Sequence, residues 1–168
     1  AIKDFGTANF NINKEQIEAG LKAVKWSSRL ERINNNLNKL LKNKDDEIWI
    51  DGAHNAGGAV VLAEWLSEQK HKDPRKLNYL ITGFTKNKAK PEFFEPFKQV
   101  ANFISTIRVD GEPNPEEAEI IQIIVNQLLI PSQSHDDLID AINFLVNLNP
   151  NLHCRILICG SLYLARDV

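Results

Sequence analysis

Glu47-Ile48-Trp49-Ile50-Asp51-Gly52-Ala53-His54-Asn55-Ala56-Gly57-Gly58 joins a short apolar run to an amphipathic helical pattern through a turn. A strand that ends in a glycine-containing turn and feeds a helix leaves backbone N–H groups pointing outward. Strand-turn-helix junctions are where open α/β sheets bind nucleotides. The turn matches neither Gly-x-x-x-x-Gly-Lys-Ser/Thr nor Gly-x-Gly-x-x-Gly, so it is not one of the common phosphate cradles.

The segments on either side repeat the alternation. In the helix after the turn, Ala59, Leu62, Ala63 and Leu66 share a face, and Lys72-Asp73-Pro74 ends it. Leu77 to Thr82 reads as a second strand, Pro91 to Gln99 as a helix packing Phe93, Phe94 and Phe97, and Phe103 to Val109 as a third strand. Asn114 as N-cap, Pro115 at N1 and Glu117 at N3 predict a helix that buries Ala118, Ile121, Val125 and Leu128. Another helix is expected from near Ser134 to Leu148, then a strand from His153 to Cys159 and a final helix opened by Gly160-Ser161. Upstream, Asn13 and Gln16 form a capping-box pattern before Ile17, Leu21 and Val24, and Leu30 to Ile33 is a possible strand. The Asn- and Lys-rich stretch 34–44 reads as an exposed excursion. Four or five strand-helix alternations predict an α/β fold: a Rossmann-like, mostly parallel, doubly wound sheet with helices on both faces.

Composition bounds the function classes. The chain has 168 residues, 43% hydrophobic and 25% charged, enough for one main globular domain. No apolar stretch is long enough to span a bilayer, and no signal or transit pattern opens the chain, so a cytoplasmic setting is expected with no membrane partner. Net charge is −2, but residues 1–44 carry nine Lys/Arg against four Asp/Glu, while residues 110–140 carry eight acids and no Lys or Arg. The basic residues lack interleaved aromatics, so no nucleic-acid partner is expected. Cys154 and Cys159 lie five apart on one strand, face opposite sides and read as core residues. His71, His135 and His153 have no metal-ligand spacing, and no metal site is assigned.

Trp26-Ser27-Ser28-Arg29-Leu30-Glu31-Arg32, Asp51-Gly52-Ala53-His54-Asn55 and Gly160-Ser161-Leu162-Tyr163-Leu164 resemble, in order and rough spacing, the C-terminal part of folylpolyglutamate synthase/dihydrofolate synthase, of the Mur ligase superfamily. Thr82 to Lys88 and Arg108 to Asn114 are also similar to stretches of that family. The resemblance implies an ATP-dependent amide ligase: a carboxylate of dihydropteroate or folate becomes an acyl phosphate, and the amine of L-glutamate displaces phosphate. It implies the Mur ligase C-terminal domain over residues 27–168, with 1–26 as linker and the end of a central domain. ATP and Mg²⁺ would be held mainly by an N-terminal P-loop domain, because no Gly-Lys-Ser/Thr occurs in this sequence. Alone, the chain is then expected to be inactive and to need that N-terminal and central portion as its partner.

Residue by residue, the resemblance implies ATP contacts for Arg29 and Asp51, a catalytic role for His54, and glutamate- or phosphate-side roles for His54, Asn55, Gly160 and Ser161. A guanidinium suits phosphate oxygens because it is always charged and binds them in a bidentate fashion. The plainer readings are a turn Asp holding local N–H groups, an Asn55 that caps its helix and an N-cap Ser161. Tyr163, Trp49 and Trp65 are expected to pack. The family's Pro-Gly before the arginine is Ser27-Ser28 here, and the Pro after the asparagine is Ala56. Competing readings are a non-catalytic nucleotide-binding or interaction domain that keeps the fold, and a Mur-type amide ligase for another substrate.

Overall fold

The computed structural model describes residues 13–16 and 29–166. At its start, Asn13 and Gln16 exchange side-chain and backbone hydrogen bonds of 3.1 and 2.8 Å, the reciprocal pattern of a capping box. The helix expected to follow over 17–25 and the Ser27-Ser28 pair lie outside the described residues, as does the segment read as linker, 1–26, except for residues 13–16.

Six strands form one sheet in the order β1-β2-β6-β3-β4-β5: β1 Glu31–Arg32, β2 Glu47–Ile50, β3 Leu77–Thr82, β4 Phe103–Ile107, β5 Ser132–His135 and β6 Cys154–Cys159. β1 is antiparallel to β2, and every other pairing is parallel. The central strands are apolar almost throughout because both of their faces are covered; all six residues of β6 are buried.

The helices α1 Ala56–Lys72, α2 Pro91–Phe94 and α3 Ala118–Gln127, with a 3-10 helix at Glu95–Gln99 directly after α2, cover one face, burying Leu62, Leu66, Phe93, Phe94, Phe97, Ile121 and Val125 against Leu80, Ile104 and Leu157. On the other face α4, Leu138–Leu148, and a short 3-10 helix at Asn36–Leu40 pack on Ile48, Ile50, Tyr79, Ile81, Ile156 and Ile158. Strand periodicity sorts the two cysteines accordingly, Cys159 into the first core and Cys154 into the second, both unpaired. The sheet is therefore doubly wound, as the alternation predicts.

Four local expectations need correction. The 34–44 stretch is not a wholly exposed excursion: the Asn35 side chain accepts from the Leu37 N–H at 2.9 Å, and Leu37 joins Ile33 in the core. β4 stops at Ile107 rather than Val109. The helix announced by Asn114 and Pro115 begins at Ala118 after Glu117, because the preceding backbone is used elsewhere. Lys86 N–H donates to Asn114 O at 2.8 Å, Glu116 N–H donates to Phe84 O at 2.7 Å, and Thr85 bridges Pro115. Finally, Ser132–His135 is an edge strand, and α4 starts only after Asp137, whose carboxylate accepts from Asp140 N–H at 2.8 Å.

A polar cluster lies at the opposite end of the sheet from the signature turn. Arg155 Nε is 2.7 Å from Glu47 Oε1, its Nη1 donates to Asn78 Oδ1 at 2.8 Å, and its guanidinium lies 5.7 Å from the Trp65 ring centroid. Lys76 Nζ adds a second cation 3.4 Å from Glu47. Burying charge is tolerable only with such pairing.

Candidate functional site

The chain leaves β2 through Asp51–Asn55 into α1 on one face, and leaves β6 through Gly160-Ser161 into a 3-10 helix, Leu162–Arg166, whose Leu164 packs on the other face. Adjacent strands whose connections part to opposite faces open a crevice at their carboxyl ends, where α/β sheets bind ligands. Because β1 is antiparallel, its entry, Arg29-Leu30, comes to this same end; Glu31 pairs with Ile50.

Asp51 organises the junction. Its N–H continues the ladder to Ile158 O at 2.9 Å. Its Oδ1 accepts from Ala53 N–H at 2.7 Å and its Oδ2 from Leu30 N–H at 2.8 Å, and the residue is 6% exposed. Gly160 N–H then donates to Ala53 O at 2.8 Å, tying the second turn to the first. The two turns and the Arg29-Leu30 entry are thus one hydrogen-bonded unit.

A cleft of about 250 Å³ opens beside it, lined by Arg29, Leu30, Asp51, Ala53, Gly58, Val61 and Leu62. Arg29 and Asp51, separated by the whole 34–44 stretch, meet there. Gly58, one of the lining residues, is held by Asn55, the N-cap of α1, whose Oδ1 accepts from Gly58 N–H at 2.9 Å. His54 is exposed on the turn and does not line the cleft; its Nδ1 lies 2.9 Å from Gly52 O. A carbonyl only accepts, so Nδ1 is the donor in this contact and Nε2 takes no part in it. Ser161 is buried; its Oγ donates to Glu112 Oε2 at 3.3 Å and accepts from Tyr163 N–H at 3.2 Å. Trp49 and Trp65 pack edge to face at 4.9 Å between ring centroids, and Tyr163 packs against the core.

Sequence reasoning missed Leu30, Gly58 and Val61 as walls and Glu112 as the partner of Ser161. Val60 and Val61 carried a signal: both fall off the buried stripe of α1, and they are 44% and 57% exposed. Glu112 carried none, since it comes from a loop 49 residues distant.

The cleft has apolar walls from Leu30, Ala53, Val61 and Leu62, with the charged side chains of Arg29 and Asp51 among its lining. A magnesium site is a different matter: among the described residues no three His, Cys, Asp or Glu side chains are grouped to hold a metal ion.

A family model described as "Dihydrofolate synthetase, C-terminal domain" matches residues 31–168. The chain belongs to this family. The match contains both turns, 51–55 and 160–164, and begins just after Arg29. The chain is similar to a dihydrofolate synthetase of Saccharomyces cerevisiae, 25% identical over 94% of this chain and 38% of that protein. Its fold is that of part of the Mycobacterium tuberculosis folylpolyglutamate synthase complexed with ADP and AMPPCP, at a TM-score of 0.72 and 22% identity over 92% of this chain and 34% of that one. It also matches a bifunctional folylpolyglutamate synthase/dihydrofolate synthase with Mn, AMPPNP and L-glutamate bound, at a TM-score of 0.68 and 15% identity over 95% and 35%. The chain thus spans less than two fifths of the length of these relatives.

Proposed function

We propose that this chain is the C-terminal domain of a cytoplasmic ATP-dependent ligase that adds L-glutamate to dihydropteroate or a folate through an acyl phosphate. The observation that carries the reading is the meeting of Arg29 and Asp51 in one cleft beside the Gly-Ala-His-Asn turn. Family membership supports the ligase class, and the nucleotides bound in the two similar solved structures support ATP.

In this proposal residues 27–168 form the closing domain and 1–26 the linker to a central domain. Leu30, Ala53 and Val61 flank the nucleoside, Arg29 reaches phosphate oxygens, and Asp51 maintains the adjoining turn. His54 Nε2, beside the helix start, is the catalytic-side candidate; it accepts a proton from, or orients, the incoming ammonium group of L-glutamate. Asn55, Gly160 and Ser161 shape the glutamate and phosphate side. The phosphate cradle and the Mg²⁺ ligands would come from a P-loop partner domain, because no Gly-Lys-Ser/Thr occurs in this chain. Alone it is inactive, and without the P-loop phosphate cradle it binds ATP more weakly than about millimolar, under about 4 kcal/mol.

Backbone NMR of the isolated chain titrated separately with ATP and L-glutamate tests the assignment. ATP is expected to shift the amides of Leu30, Asp51 and Ala53, and glutamate those of His54, Gly160 and Ser161. ATP shifts clustered at the Arg155 end of the sheet would contradict it.

A further inference from the structure

The strand order places β3 between β4 and β6, so a residue that follows β4 reaches the turn after β6 only by crossing the end of β3. Gly83, directly after β3, permits the crossing: a Cβ there would stand 2.4 Å from Val109 Cγ2 and 2.7 Å from Ile107 O. The chain then turns back over Val109-Asp110-Gly111-Glu112. Glu112 N–H donates to Val109 O at 3.4 Å, and Gly111 has φ +75°, the positive value that the third residue of a type II turn requires.

This path brings the half-buried Glu112 against the Gly160-Ser161 turn. Its Oε2 accepts from the Ser161 hydroxyl at 3.3 Å, across 49 positions of sequence, and Ser161 Oγ accepts from Tyr163 N–H at 3.2 Å. Among the described residues Glu112 Oε1 has no hydrogen-bond partner and no cation pairs with the carboxylate. The bond from Gly160 N–H to Ala53 O sets the His54 turn alongside.

An ammonium group that leaves water needs an anionic acceptor. Glu112 is an acceptor already held in place, by the glycine turn behind it and the serine beside it, so little freedom is lost when a cation binds. We propose that Glu112 is a substrate-binding residue that recognises the ammonium group of the incoming α-amino acid through Oε1, while Ser161 steadies Oε2. The inference rests on the glutamate-side reading above and deepens it. A fixed negative charge at this place also repels a plain dicarboxylate, so the same residue selects an amino acid over the corresponding acid.

The test titrates the full chain by NMR with L-glutamate and with glutarate, which has the same two carboxylates and carbon chain but no ammonium. The amides of Gly160 and Ser161 report binding in the wild type and in Glu112→Gln. The wild type should bind L-glutamate about tenfold more tightly than glutarate, the worth of one charge-assisted hydrogen bond. Glu112→Gln should weaken L-glutamate by a similar factor and leave glutarate unchanged or bound more tightly.

Equal weakening of both ligands would overturn the proposal and leave Glu112 as a residue that only holds the turn. Unchanged or tighter L-glutamate binding in Glu112→Gln would overturn it too, because the carboxylate would then make no favourable contact with the ammonium. In either case the glutamate-side reading stands, since L-glutamate still shifts Gly160 and Ser161. Wild-type amides at these positions that ignore L-glutamate would overturn both together, whatever ATP does at Leu30 and Asp51. Should Glu112→Gln prove unfolded, the wild type alone decides: glutarate bound at least as tightly as L-glutamate contradicts the proposal.

Discussion

Gly160 N–H donates to the Ala53 carbonyl at 2.8 Å, so the turn that follows the last strand is bonded to the turn that follows β2. These turns are 107 positions apart in sequence, yet one hydrogen bond fixes their relative height at the mouth of the sheet. Gly160 reaches it with φ +113°, and a Cβ there would stand 2.5 Å from Thr82 Oγ1 and 2.7 Å from Gly83 O.

Gly160→Ala should therefore cost both backbone strain and overpacking, in total about 2–5 kcal/mol. Urea denaturation checks it. A loss below about 0.5 kcal/mol would mean that the turn relaxes freely and that the two turns are not rigidly joined.

Gly58 lies in the first turn of α1, and a Cβ there would come within 2.8 Å of the Ala53 Cβ. Alanine in place of a helical glycine gains up to about 1 kcal/mol of helix propensity. Displacing Ala53 opposes this and disturbs both the Asp51 and Gly160 bonds. Gly58→Ala is expected to be neutral or destabilising by about 1 kcal/mol, with altered amide shifts at Asp51 and Gly160; a more stable protein with unchanged shifts would contradict the close contact.

The Glu47–Arg155 pair is a structural device distant from the cleft. Glu47→Ala leaves the guanidinium of Arg155, a residue 3% exposed, without its carboxylate and should cost about 3–5 kcal/mol. Replacing both, as Glu47→Leu with Arg155→Met, should cost clearly less than the sum of the single changes. Additive losses in that double-mutant cycle would show that the pair is not coupled.

Both thiols are held protonated by burial. Cys154 is pushed up to about 12 from an ordinary 9.0, by burial first and the neighbouring Asp46 second, and Cys159 is pushed higher still. The folded state retains protons that the unfolded chain releases near 9, so this stability is fully present below that pH. It is lost as pH rises, at up to about 1.4 kcal/mol per unit for each thiol. Burial raises the Tyr79 phenol in the same sense. Unfolding free energies between pH 8 and 10.5 should fall, and fall less steeply in Cys154→Ala; a flat profile in the wild type would refute the burial account.

The apolar strands β2, β3 and β6 were legible in the sequence because parallel strands covered on both faces are continuous hydrophobic runs. β5 was not, since Ser-Gln-Ser-His at a sheet edge has neither that run nor an alternation. The start of α3 misled for a different reason. Asn114-Pro115 is a sound capping signal, but a tertiary pairing with Phe84-Thr85-Lys86 takes those backbone groups first. At the site, family resemblance placed Arg29 and Asp51 together. No pattern could reveal that Asp51 also holds the Leu30 backbone, because that bond joins a side chain to a main-chain group across 21 positions.

Mixing this chain with a separately expressed P-loop portion of a related ligase, and following phosphate release dependent on both ATP and L-glutamate, tests the central claim most directly. The account predicts release only when both pieces are present, reduced at least about tenfold by Asp51→Ala. Association of the two pieces without any glutamate-dependent release would contradict it and favour a domain that keeps the ligase fold without the ligase function.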